Sequence, residues 1–192
     1  MEKGYQLNGW LEVDDGTAVG KPAMLRAAEK WKLQENATTS IAGTLNVKDA
    51  HITGPVRFGD GITLGAGSRI VGPVFIGSGV TIGENVIIGP YTSIGENVLI
   101  KNNAKLFSSS IYNGVVIGAN TTISGSIVDI DTIIGDNCSI EHNTVIGPRS
   151  VLRNNVTIHS GTRLWPEVIV PEKSIVKEHM LNEKFDTRCE GS

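Results

Sequence analysis

IVGPVFIGSGVTIGENVIIGPYTSIG, residues 70–95, puts a large aliphatic side chain at every sixth position: Ile70, Ile76, Ile82, Ile88 and Ile94. Stepping outward by six carries the frame back through Leu64 and Phe58 to Ile52, and forward through Ile100 to Leu106. The frame slips by one residue to give Ile111, Ile117 and Ile123. It slips once more to give Val128, Ile134, Ile140, Ile146, Leu152, Ile158, Leu164, Val170 and Val176. Two residues before many of these stands a smaller side chain, as at Val74, Val80, Val86, Thr92, Val98, Ala104, Thr121, Cys138, Thr144, Ser150, Val156 and Thr162. Directly after many of them stands glycine, as at Gly59, Gly65, Gly77, Gly83, Gly89, Gly95, Gly118, Gly135 and Gly147.

Alternate residues of a strand share a face, so the small and the large residue of each unit both point inward. The glycine suits a corner that needs positive φ or a close backbone approach. One unit is then a strand plus a corner, and three units close a triangular coil of about eighteen residues whose neighbours stack at roughly 4.8 Å. No single coil can bury its own apolar face, so the stack is the folding unit. The fold class is all-β, a parallel β-helix of hexapeptide repeats. Each slip deletes one residue, across Phe107–Gly114 and across Ser124–Ile127, and must distort a corner. Such a place is either an irregular corner or a contact for a ligand or partner.

Composition agrees with short strands and tight corners: 40% of residues are hydrophobic, 5% are aromatic, and glycine occurs 23 times without a collagen period. A formal charge of −3 lacks the basic field of a nucleic-acid binder. The apolar runs are too short to span a membrane. Met1–Asp15 is polar and acidic, unlike a signal peptide. Cys138 and Cys189 make no metal or redox spacing. The N-x-[ST] matches at Asn36, Asn120, Asn137 and Asn155 read as chance in such a chain. The expected setting is cytoplasmic and reducing.

Ahead of the repeats, residues 5–15 read as a strand or hairpin fragment. A helix is expected after it, with Pro22 in its first turn and Met24, Ala27, Ala28 and Trp31 on one apolar face. That helix is expected to cap the open first coil. Residues 1–40 thus form a lead-in, 41–176 the β-helix and 177–192 a charged tail. In the tail Met180, Leu181 and Phe185 are expected to make a short helix on the last coil.

The repeats resemble the hexapeptide-transferase superfamily, and the left-handed sense of the coil is an expectation from that resemblance. The lead-in narrows it. Gly9-Trp10-Leu11-Glu12-Val13-Asp14 followed by Val19-Gly20-Lys21-Pro22-x-x-Leu25-x-Ala27 resembles the end of the catalytic domain in long, archaeal-type sugar-1-phosphate nucleotidylyltransferases. In those proteins a hexapeptide β-helix follows directly. Gly72–Gly77 and Ile88–Gly95 resemble the repeats of those proteins, and so does Leu164–Val170, as in the mannose-1-phosphate guanylyltransferases. The resemblance implies a parent reaction of nucleoside triphosphate and sugar 1-phosphate giving nucleotide sugar and pyrophosphate, with Mg²⁺. It also implies self-association as a homotrimer or a higher homo-oligomer. An acidic residue after the tryptophan helps hold the metal in that family, and Glu12 or Asp14 would match it. The 192 residues contain no Gly-rich triphosphate loop, second metal aspartate or base-recognition residues. One acidic residue cannot hold the ion alone, so Glu12 and Asp14 read as vestigial, and the chain is expected to need no cofactor of its own. Ser160–Pro166 imitates a G-x-G-T-R-L-x-P loop, yet Thr162 and Leu164 fall in the repeat frame, so it reads as structural.

The competing reading is a CoA-dependent acyltransferase, in which a histidine deprotonates the acceptor for attack on the thioester of acetyl-CoA. His142, two residues after Ile140, is the first candidate base and His159 the next. The chain lacks the long loop that commonly forms the acceptor site of such enzymes. It also lacks the signatures of bifunctional acetyl- and uridylyltransferases. A zinc carbonic anhydrase would need three converging ligands, and His51, His142, His159 and His179 include no close pair.

Overall fold

A computed structural model of the protein describes residues 39–180. The lead-in strand and helix, Glu12, Asp14, Leu181 and Phe185 lie outside the described residues.

The described chain winds into a left-handed β-helix of about eight turns, with no helix among the described residues. Its three walls are parallel sheets of eight strands each, in which every strand pairs with the ones three before and three after it. Sheet 1 runs from Ser40–Ile41 to Arg163–Leu164, sheet 2 from Leu45–Val47 to Ile169–Val170, and sheet 3 from His51–Thr53 to Ile175–Val176.

The six-residue frame is the core. Ile70, Ile76, Ile82, Ile88, Ile94, Ile100, Leu106, Ile117, Ile123 and Ile134 are fully buried, stacked on their own kind in register. The small residues two before them are buried too. At Thr121, Thr132 and Ser150 the hydroxyl donates to a backbone carbonyl on the next coil, Gly135 O at 2.9 Å, Gly147 O at 3.2 Å and Trp165 O at 3.2 Å, whereas the buried hydroxyls of Thr92 and Thr162 have no hydrogen-bond partner among the described residues. A buried hydroxyl without such a partner would cost about 1–3 kcal/mol, so these bonds make a polar residue tolerable at an interior site.

The corners separate two roles that the sequence merges in glycine. Of the glycines that follow the large residue, only Gly89 has positive φ; the others are held by close approach. A Cβ on Gly77 would sit 2.7 Å from the backbone of Gly95 one coil on. The left-handed conformation falls two residues later, where asparagine dominates: Asn85, Asn97, Asn103, Asn120, Asn137, Asn143 and Asn155 all have φ between 55° and 61°. Asparagine tolerates that region better than other side chains with a Cβ. This also explains three of the N-x-[ST] matches, since a left-handed Asn, an inward residue and an outward Ser or Thr recur in each coil.

The two frame slips lie on the same edge. Leu106 to Ile111 and Ile123 to Val128 both cross from sheet 3 to sheet 1, and the shortened corners stack. Ser109 Oγ donates to Phe107 O at 2.8 Å and accepts from Ser126 N at 3.3 Å. Ser126 Oγ donates to Glu141 O at 2.6 Å. A third short step, Val47 to Ile52, precedes the frame at the edge from sheet 2 to sheet 3. The first coil is open: Ile41, Val47 and Ile52 face inward yet are exposed. At the other end Met180 is not helical. It bridges Leu164 in parallel and extends sheet 1, because the frame still directs the chain onto that wall.

Candidate functional site: the edge between sheets 3 and 1

The edge that carries the slips also carries most of the histidines. Three of the four histidines stand on it in consecutive coils: His142, His159 and His179. His51 is apart, on the outer face of sheet 3 near the first coil. His142 is exposed, with Nδ1 3.3 Å from Ser124 Oγ on the coil before. Next to His142 in sequence, Glu141 Oε2 is 3.3 Å from His159 Nδ1 on the following coil and accepts from both the amide and the hydroxyl of Ser160 there, each at 3.1 Å. His179 Nδ1 accepts from the Arg163 amide at 3.1 Å.

The Ser160 amide and hydroxyl, and after them the charge of His159, hold the Glu141 carboxyl below the usual glutamate range. Glu141 is therefore an ionised anchor at neutral pH and not a proton donor. Burial pushes the Cys138 thiol up; it faces inward and contacts the Arg153 carbonyl at 3.2 Å, which makes it a core residue and not a nucleophile. For His142 to accept a proton at Nε2, its Nδ1–H must donate to Ser124 Oγ. That geometry is available, but the edge is convex, and no carboxylate among the described residues orients the ring.

The resemblance to a triphosphate loop at Ser160–Pro166 dissolves in the fold. Thr162 and Leu164 are buried as frame residues, and Ser160 caps Glu141. Among the described residues no three His, Cys, Asp or Glu side chains converge on a point that could hold a metal. Mg²⁺ needs several oxygen ligands in near-octahedral array, which the described residues do not bring together; the expected ligands Glu12 and Asp14 lie outside them. The cluster of Glu141, His159 and Ser160 was not visible as a pair of residues close in sequence. Its signal is the coil length: Glu141 and His159 each follow an inward isoleucine, Ile140 and Ile158, that pair across adjacent coils.

A second feature is a face. Leu99, Val116, Ile133, Val151 and Ile169 point outward from sheet 2 and pair in register, one per coil. Ile133 is 47% exposed and Ile169 60%. The matching ladder on sheet 3 is Lys105, Thr122, Ser139, Thr157 and Ile175, polar except for Ile175 in the last coil, which is 65% exposed. Beside Leu99 lies a shallow depression lined by Thr81, Lys101, Asn102 and Ala119. These side chains form an apolar stripe along one wall.

Among solved structures the chain is similar to the UDP-N-acetylglucosamine acyltransferase of Campylobacter jejuni, at 16% identity and a TM-score of 0.46 over 76% of this chain and 65% of that one. It is similar to the corresponding enzyme of Bacteroides fragilis at 20% identity and 0.43, over 76% and 67%. The acetyltransferase domain of PglB from Neisseria gonorrhoeae gives 16% and 0.43, over 82% and 64%. The chain thus spans about two thirds of the length of these proteins, and at such identities the likeness carries no function across. No curated protein matches the chain. The sequence profile of the GMPPB C-terminal domain matches residues 70–185, more than half of the chain. This protein belongs to that family, the β-helix part of mannose-1-phosphate guanylyltransferase beta.

Proposed function

We propose that this chain is the assembly and regulatory β-helix of a sugar-1-phosphate nucleotidylyltransferase and that it acts by self-association in the cytoplasm. Residues 1–40 then correspond to the end of a nucleotidyltransferase domain, 41–176 to the β-helix and 177–192 to its tail. The observation that carries the reading is the apolar ladder of sheet 2, together with membership of the family. A rigid prism with one apolar wall is suited to holding copies of a larger enzyme in a fixed array. Closed symmetry is the default for such homo-oligomers, and a trimer or a higher assembly fits three-sided prisms packing by one wall. No helix of the described residues is long and apolar enough to cross a membrane. Light scattering on the purified chain is expected to give a mass that is an integral multiple of the protomer. The same material is expected to release no pyrophosphate from any pair of nucleoside triphosphate and sugar 1-phosphate with Mg²⁺. A monomer at every concentration, or turnover at ordinary enzymatic rates, overturns the reading.

The acyltransferase alternative has one observation in its favour, the Ser124–His142 contact on the histidine-bearing edge. In that reading His142 is the general base and acetyl-CoA the donor. Calorimetric titration with acetyl-CoA tests it: saturable binding, together with acetyl transfer that is lost in His142→Ala, supports the alternative, and no binding removes it.

A further inference from the structure

The corners between sheets 2 and 3 are stitched from coil to coil. The Glu84 amide donates to Asn102 Oδ1 one coil on, at 3.0 Å. The Ala119 amide donates to Asp136 Oδ1 at 2.8 Å, and the Asp136 amide to Asn154 Oδ1 at 2.9 Å. Each time the side chain of the second corner residue on the next coil supplies the oxygen. One rung is missing. One coil beyond Asn102 that position holds Ala119, whose methyl accepts nothing, and the Asn102 amide has no acceptor among the described residues.

A depression opens there, on the border of sheet 2, lined by Thr81, Leu99, Lys101, Asn102 and Ala119. Lys101 spans the coil of Ala119: its Nζ stands 3.6 Å from Asp136 Oδ1, and its side chain is half exposed. A fixed N–H and an ammonium with no oxygen between them, beside an apolar leucine, make a seat for a carboxylate.

The seat adjoins the apolar ladder of sheet 2, so the inference rests on self-association through that wall. Where the rotation axis of a closed dimer or trimer runs parallel to the coil axis, heights are preserved. The edge between sheets 2 and 3 of one copy then meets the edge between sheets 1 and 2 of the next. That second edge is acidic: Asp60, Glu96, Asp129, Asp131 and Glu167 stand against Arg149 alone, and Arg149 pairs with Glu167. Glu96 lies one six-residue unit before Asn102, a third of a coil, or about 1.6 Å along the axis. It is exposed, and its carboxylate makes no ion pair among the described residues.

We infer that the partner subunit's Glu96 places its carboxylate in this seat, accepting from the Asn102 amide and pairing with Lys101, so that copies dock with their coil axes parallel. Lys101 then bridges that carboxylate and Asp136. Antiparallel docking would set the two acidic edges against each other and leave the seat empty.

Sedimentation equilibrium of the full chain tests it through a double-mutant cycle. Glu96→Ala removes the visiting carboxylate. Ala119→Asp supplies the missing rung from within, as Asp136 does one coil on, and closes the seat. Each is expected to weaken association at least tenfold, with a urea midpoint no lower than that of the native chain. In the Glu96→Ala background, Ala119→Asp is expected to change association less than threefold, because the contact it blocks is already gone. Ala119→Asn repeats the cycle if Ala119→Asp fails to fold. Native-like assembly of both single variants, or losses that simply multiply in the double variant, overturns the inference and leaves self-association standing. A native chain that is monomeric at every concentration overturns self-association and this inference together.

Discussion

Leu99 and Ile100 are adjacent in sequence and opposite in consequence. Ile100 faces the core with no exposed surface and stacks in register between Ile82 and Ile117. Leu99 faces outward and is 38% exposed. Ile→Ala at a buried site costs about 2–5 kcal/mol, more when the cavity cannot collapse. At Ile100 collapse is restricted, because the coils above and below are held apart by parallel backbone ladders on all three walls. Ile100→Ala is therefore expected in the upper half of that range. Leu99→Ala gives up only part of a leucine's burial, which is worth about 1.5–3 kcal/mol in full, so a cost of about 1 kcal/mol or less is expected. Urea unfolding followed by far-UV circular dichroism reads both, with the slope compared between variants to establish that the same unit unfolds. Equal costs, or a cost below about 1 kcal/mol at Ile100, would refute the assignment of inward and outward faces on which the whole fold rests.

The left-handed corner at Asn137 has φ 58°. Asn137→Gly is expected to leave the urea midpoint nearly unchanged, while Asn137→Ala lowers stability by about 1 kcal/mol. Equal midpoints for Gly and Ala would remove the conformational argument. Glu141 makes stability depend on acid: its folded carboxyl titrates below the unfolded value of about 4.3. Its contribution is complete above about pH 5 and is lost as pH falls through the folded value. Melting temperatures of Glu141→Gln and the native protein are expected to converge on acidification, and a gap that widens toward low pH would contradict the sign. In a Cys189→Ser background Cys138 is expected to resist thiol reagents until the coils unfold; fast labelling of that folded variant at neutral pH would show that Cys138 does not face inward.

The walls of this fold were legible in the sequence because a six-residue period leaves no freedom about which residues face inward. Every small residue assigned to the interior, from Val74 to Thr162, is there. The corners were only half legible. Glycine after the large residue signalled a close approach, but the left-handed position was carried by asparagine before the small residue, a signal present in the sequence and easily taken for glycosylation motifs. The two slips were visible as deletions, and counting from Leu106 to Ile123 shows that they fall one short coil apart and so stack. On the candidate edge His142 and His159 stood out singly. Joining Glu141 to His159 takes the coil length and not the chain neighbourhood.

Sedimentation equilibrium of the native chain beside Ile133→Glu and Ser139→Glu addresses self-association through sheet 2 most directly. Both substitutions put a carboxylate on an outer face of the same coil, the first in the apolar ladder and the second on the polar wall. A desolvated, unpaired charge in an interface costs several kcal/mol, so Ile133→Glu is expected to weaken association at least a hundredfold and to leave monomer, while Ser139→Glu assembles like the native chain. Assembly that survives Ile133→Glu, or that fails with Ser139→Glu alone, would place the interface on another wall and contradict the account.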